Sequence, residues 1–188
     1  MLIDLTLTVT PQMARASQET LKTALAGHLG THFDVMDQIF PLEYTERKAV
    51  VFDISSIKDR EIEPSDIEMD QIEEGMFVAF YSGFIEEEEY GTQRYFKEHP
   101  QLSEELLEVL LQKRISIIGI DFSGVRRGKE HIPMDQRCAN QGVFVVENLC
   151  GLQEVVKAGK RFTARTFPMH LTGLTGLPCR VIAEVETR

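Results

Sequence analysis

The residues best suited to chemistry lie together in Gly27-His28-Leu29-Gly30-Thr31-His32-Phe33-Asp34. If this segment is extended, strand alternation puts His28, Gly30, His32 and Asp34 on one face and Leu29, Thr31 and Phe33 on the other. Two imidazoles and a carboxylate on one face suit zinc, manganese or ferrous iron, and the side-chain-free Gly30 leaves room between the histidines for an ion and its water. A helix would also bring His28 and His32 together, but Gly27 and Gly30 weaken a helix and Asp34 would leave that face. Two surface histidines beside an ordinary turn satisfy the same spacing, so the surrounding sequence has to decide.

The elements that must position these residues can be read from apolar patterning. Runs rich in β-branched residues predict strands near Ile3 to Val9, Ala49 to Ile54, Met76 to Tyr81, Ile115 to Ile120, Val143 to Val146 and Arg180 to Val185. Several are apolar at nearly every position, which implies cover on both faces and hence an α/β fold with helices packed on a sheet. A helix begins after Ser103, a good N-cap, with Glu104 and Glu105 in its first turn, Leu106, Leu107, Leu110 and Leu111 at helical spacing and Lys113-Arg114 at its end. Further helices are expected from Ser17 to Ala26, Pro64 to Ile72 and Leu152 to Ala158. The Gly-rich stretch Leu171 to Pro178 lacks the lysine of a phosphate loop and reads as turns before the last strand, so no nucleotide cofactor is implied.

The 188 residues, 43% hydrophobic, suffice for one domain, 1–188, with a mixed β-sheet core flanked by helices. Thirty acidic against twenty basic residues give a formal net charge of −10, which disfavours nucleic acid and anionic membrane surfaces as partners. The segment MLIDLTLTVT lacks the features of a signal peptide, and no apolar run nears the roughly 20 residues of a membrane span, so a cytoplasmic location is expected. Cys138, Cys150 and Cys179 show no Cys-x-x-Cys spacing and read as buried thiols.

The segment His28-x-Gly30-Thr31-His32-x-Asp34 resembles the signature of the metal-dependent cyclase family that includes the bacterial kynurenine formamidases, or arylformamidases. The likeness continues through Ile3-Asp4-Leu5-Thr6, Tyr81-Ser82-Gly83-Phe84, His99-Pro100-x-Leu102-Ser103, Ile118-Gly119-Ile120-Asp121, Val146-Glu147-Asn148-Leu149 and Pro178-x-Arg180-Val181-Ile182-Ala183. The resemblance implies a swivelling β/β/α, cyclase-like fold and a homodimer or homotetramer. It also implies one or two divalent ions, zinc or manganese, held by His28, His32 and Asp34, with Glu147 as a ligand to a second ion. The activity implied is hydrolysis of a linear or cyclic amide in a small-molecule substrate.

The chain also departs from the family pattern. Where the family has a histidine four residues after the aspartate, this chain has Gln38, which cannot shuttle a proton. The family's second-site histidine, twelve residues before the glutamate, is replaced by Asp135, and His131 stands one helical turn earlier. Asp34, Asp135 and Glu147 together would make an all-carboxylate second site favouring harder ions such as manganese or magnesium. His131 or Asp37 is the candidate catalytic base in place of the missing histidine.

Other polar residues read more plainly. Asp121, at a strand end, either lines the pocket or holds a turn; His99 is expected at the surface or in a helix cap. His170 is expected packed or solvated, and Glu86 to Glu89 form a solvated acidic loop. Phe33, Phe40, Phe80, Tyr81 and Phe84 fit a core better than an aromatic wall around a substrate. The leading expectation is therefore a metal-dependent amide hydrolase, with a catalytically silent binding protein of the same fold, or an interaction module without metal, as the alternatives.

Overall fold

The structure, a computed structural model, describes residues 1–22 and 26–186. In chain order its elements are β1 (Leu2–Asp4), α1 (Pro11–Ala16), β2 (His32–Asp34), β3 (Glu46–Asp53), β4 (Phe77–Tyr81), α2 (Phe84–Glu87), α3 (Gln93–Lys97), α4 (Glu104–Gln112), β5 (Ile117–Ile120), α5 (His131–Asn140), β6 (Phe144–Glu147), α6 (Leu152–Lys157), β7 (Arg161–Pro168) and β8 (Gly176–Glu184).

β3, β4, β5 and β6 are parallel neighbours, while β2 runs antiparallel between β6 and β8, and β7 antiparallel between β3 and β8. The β7–β8 pairing closes seven of the eight strands into a barrel, and β1 adds to β8 outside it. The expected α/β class and mixed sheet are present. Closure into a barrel follows from β7, a strand the apolar runs did not predict. Its alternation of buried Phe162, Ala164 and Thr166 with Arg161, Thr163 and Arg165 has the period of a half-buried strand.

The pleat sends alternate residues into two apolar layers. Val50, Phe52, Val78, Phe80, Ile118 and Ile120 face α4 and α5, where they meet Leu106, Leu107, Leu110 and Cys138. Ala49, Val51, Phe77, Ala79, Phe144 and Val146 point the other way and meet Phe33, Leu177, Val181 and Ala183 inside the barrel. Gly119 lies among these rings, since a Cβ there would come within 2.6 Å of Phe77.

The predicted Ser103 cap accepts from the Leu106 amide at 3.1 Å and starts α4, whose apolar stripe is buried as expected. The predicted Leu152 helix forms as α6, but the Pro64 to Ile72 helix resolves into two single 3-10 turns, Pro64–Asp66 and Met69–Gln71. Of the predicted Ser17 to Ala26 helix, residues 17–21 form a π-helical turn continuing α1, and 23–25 lie outside the described residues. The expected acidic loop instead opens with α2, which includes Glu86 and Glu87. Among the described residues no helix is long and apolar enough to cross a membrane. Cys138 and Cys179 are buried thiols and Cys150 is half-buried.

Candidate metal centre

Only His32, Phe33 and Asp34 of the histidine segment form a strand; His28 approaches from the loop before it. β2 puts Phe33 into the barrel against Phe40, with ring centroids 4.6 Å apart, and turns His32 and Asp34 to the opposite face. Gly30 does not act as a spacer between the histidines. It takes a φ of +69°, and a Cβ there would lie 2.7 Å from the Val9 side chain. Its carbonyl accepts from His32 Nδ1 at 2.8 Å and from Asn148 Nδ2 at 2.9 Å. Because a carbonyl only accepts, His32 Nδ1 carries the proton and Nε2 is the atom turned to the site.

β6 runs beside β2 with Glu147 directly opposite His32. α5 then lays His131 and Asp135, one turn apart, over the same face. Pro133 is tolerated within the first turn of α5, where a missing amide proton costs no intrahelical bond. Gly124, without a side chain, admits the His131 ring, since a Cβ there would come within 2.9 Å of Cε1.

Six predicted residues, His28, His32, Asp34, His131, Asp135 and Glu147, thus line one cavity of about 450 Å³. Asp34 Oδ1 is 3.1 Å from His28 Nδ1 and 3.6 Å from His32 Nε2. His32 Nε2 is 3.5 Å from Glu147 Oε2, and His131 Nε2 is 3.1 Å from Asp135 Oδ2 and 3.3 Å from Glu147 Oε1. Ligand atoms about 2.1 Å from a tetrahedral ion stand roughly 3.4 Å from one another, so this spacing matches a cation's coordination shell. His28, His32 and Asp34 form one group able to hold an ion, and Asp34, His131 and Asp135 a second. The second group therefore includes an imidazole and departs from the all-carboxylate site read from sequence.

Donor satisfaction supports the same fit. His32 Nε2, Asp34 Oδ2, Asp135 Oδ1 and Glu147 Oε1 are buried and make no hydrogen bond among the described residues. Orphaned buried polar atoms are costly in a fold, and a divalent cation held by either group would take up donor atoms of this kind. The charges show the same strain. Burial opposes protonation of His32, yet Asp34 and Glu147 raise its pKa to about 9. Burial likewise works against His131, but Asp135 and Glu147 raise it to about 11. Burial and the charge of Asp34 push Glu147 upward, and burial with the neighbouring carboxylates pushes Asp135 to about 8. Asp34 moves the other way: the adjacent imidazoles of His28 and His32 outweigh burial and hold it well below the usual range.

Asp37 is not among the residues lining this cavity. It is exposed, and its Oδ1 accepts from Gln136 at 2.6 Å and Gln38 at 2.9 Å. It is therefore not positioned as the base expected from sequence. Gln38 is exposed too. His99 is buried rather than at the surface: it is 1% exposed and stacks on Phe122, with centroids 5.7 Å apart. Asp121 holds a turn, accepting from the Ser82 and Gly83 amides at 3.0 and 2.7 Å and from the Ser82 hydroxyl at 2.6 Å. His170 is exposed.

Three contributors were not read from the sequence. Thr175 Oγ1 lies 2.9 Å from His28 Nε2, Phe96 lines the cavity, and Asn148 buttresses Gly30. Asn148 takes a φ of +59°, a conformation asparagine tolerates, and its Oδ1 accepts from the Tyr95 hydroxyl at 2.7 Å. Its place directly after Glu147 was the available signal.

The family model described as "Putative cyclase" matches residues 3–126, more than half of the chain. The chain belongs to the Cyclase family. The matched part of this cyclase includes His28, His32 and Asp34 and ends before His131, Asp135 and Glu147. No curated protein sequence matches the chain. Among solved structures the cyclase is similar to a "potential metal-dependent hydrolase with cyclase activity", at 22% identity, TM-score 0.75, covering 100% of this chain and 99% of that one. It is also similar to isatin hydrolase A from Labrenzia aggregata bound to benzyl benzoate, at 19% identity, TM-score 0.74, covering 99% and 94%. Isatin hydrolase A from Ralstonia solanacearum is alike at 19% identity, TM-score 0.74, covering 99% and 92%. At these identities the likeness concerns the fold.

Proposed function

We propose that this cyclase hydrolyses a carbon–nitrogen amide bond in a small molecule, as an arylformamidase or a cyclic-amide hydrolase does, with zinc or manganese in the cavity. The observation that carries the reading is the convergence on one space of four buried donor atoms, from β2, β6 and α5, that make no hydrogen bond among the described residues. His28, His32 and Asp34 would hold the ion. When bound, it supplies Lewis-acid polarisation of a carbonyl and makes water more acidic.

His131 is assigned the proton transfer. It lies against Asp135 and Glu147, and its side chain is 31% exposed, so it can exchange protons with solvent while facing the cavity. The two carboxylates keep its ring charged and ready to donate to a leaving nitrogen. If a second ion binds instead, His131, Asp135 and Asp34 are its ligands. A homodimer or homotetramer and a cytoplasmic location belong to the same reading.

The exposed positions of Asp37 and Gln38 favour a second reading, a protein that keeps the metal and binds small molecules without turnover. Metal analysis of protein purified without chelator, followed by formanilide and isatin turnover with added zinc or manganese, separates the two. Turnover abolished by His32→Ala supports the hydrolase; stoichiometric metal with no turnover supports the silent binder.

A further inference from the structure

Beside the metal cavity lies a larger cleft of about 1040 Å³, and Met36 and Thr175 line both. Thr175 connects them directly, because its hydroxyl is bonded to the imidazole of His28. The cleft wall is apolar and reaches outward through Ile39, Leu42, Phe167, Met169 and Leu171. These side chains are 90, 81, 53, 54 and 37% exposed, and they are five of the nine exposed large hydrophobic residues among those described. Such a concentration marks a binding surface, since single exposed hydrophobics are usually scattered.

The charges of the lining are equally informative. Among the described residues neither cavity is lined by a lysine or an arginine. The metal cavity brings in Asp34, Asp135 and Glu147, and the cleft adds Asp37. An arm bearing a free carboxylate would lose water in the cleft without meeting a lysine or an arginine, and would face the charge of Asp37. An uncharged apolar group meets neither cost and gains from leaving water.

We propose that this cleft binds the non-reacting arm of the substrate, and that the substrate is an uncharged amide carrying an extended apolar group, not an amino-acid derivative with a free carboxylate. The proposal rests on the amide-hydrolase reading and narrows it. The reacting carbonyl would lie in the metal cavity, and the arm would pass Met36 and Thr175 toward Leu42 and Phe167. Met36 itself has a φ of +56°, and its amide donates to the Thr175 carbonyl at 3.0 Å, which fixes the threshold between the two spaces.

The test compares formanilide, 4-butylformanilide and 4-carboxyformanilide on the metal-loaded full chain, by calorimetric affinity and by turnover. The butyl compound is expected to bind at least tenfold more tightly than formanilide, and the carboxylate at least tenfold more weakly. Leu42→Asp and Phe167→Asp should bring the butyl-to-parent ratio toward one, whereas Leu2→Asp, at an exposed apolar residue outside the cleft, should keep it. Sedimentation of the same variants identifies the competing occupant. Equal affinity for parent and butyl compounds overturns the proposal, and a dimer lost in Leu42→Asp with no change in the ratio overturns it and assigns the cleft to a second copy of the chain. Binding with the expected ratio but no turnover would overturn the hydrolase reading alone and leave the cleft assignment standing.

Discussion

His32 and Glu147 face each other across the antiparallel pair of β2 and β6, with Nε2 and Oε2 3.5 Å apart and both side chains almost fully buried. Such a pair is held in place by backbone register and cannot relax far. Removing either partner leaves the other buried and uncompensated. His32→Ala and Asp34→Asn are therefore expected to lose stoichiometric metal, and Glu147→Gln to weaken its binding by ten- to a hundredfold. Elemental analysis and metal titration of the purified variants check this. Retention of full metal by His32→Ala would exclude the site.

His131 offers a distinction between one ion and two. If its role is proton transfer, His131→Ala keeps one ion per chain and loses about 10²–10⁴ in kcat. If it is a ligand, the variant drops from two ions to one. Metal stoichiometry of wild type and variant, measured side by side, decides between them.

Metal affinity should rise with pH. His32 is raised to about 9 and His131 to about 11 in the metal-free site, so both rings hold protons at neutral pH. A metal must displace the proton on any ring it binds, while Asp34 is already ionised. The apparent Kd is expected to fall as pH rises from about 6 toward 9, by up to about tenfold per unit for each proton displaced. Calorimetry in buffers of different ionisation enthalpy would count the protons; a pH-independent Kd would contradict the assignment.

How much of this was legible in the sequence depended on which face a residue served. The strands with two apolar faces, β3, β4, β5 and β6, were visible because both of their faces are covered. Helix α5 was not among the predicted helices, because its inward face carries Asp135 and His131 where a core helix would carry leucine. The sequence marks His28, His32 and Asp34 by spacing. It could not show that Asp37 faces away from the cavity, since that depends on the chain turning outward after Val35 with Met36 at positive φ. His99 was misread for a related reason: a polar side chain beside a proline looks solvated until Phe122 is found stacked on it.

The loop carrying His28 is fixed by a backbone contact with β8. Gly27 has a φ of +83°, and a Cβ there would fall 1.9 Å from the Gly176 carbonyl oxygen. No rotamer change relieves a clash with backbone. Gly27→Ala is expected to destabilise the fold by about 2 kcal/mol or more and to weaken metal binding by displacing His28. Thermal unfolding with and without metal would show both losses. An unchanged Tm would mean that the loop can move away from β8 at little cost.

His99 should impose a pH dependence of its own. Burial pushes its pKa from 6.5 down to about 4; the charges of His131 and Arg127 add to this, and the Pro100 carbonyl opposes it. Its Nδ1 donates to that carbonyl at 2.8 Å, but Nε2 is buried without a hydrogen bond, so a second proton has no acceptor. The folded-state pKa lies below the unfolded one, so its contribution is fully present above the unfolded pKa and is lost as pH falls through the folded pKa. Between these limits the unfolded chain takes up a proton that the folded chain refuses, a loss of up to roughly 3 kcal/mol. His99→Phe keeps the stacking on Phe122 and removes the titrating group. Denaturant unfolding of the chelated protein should therefore show a stability difference between wild type and variant that shifts by this amount, in the variant's favour, on acidification. A constant difference across that range would mean that His99 takes up its proton as readily in the folded chain as in the unfolded one.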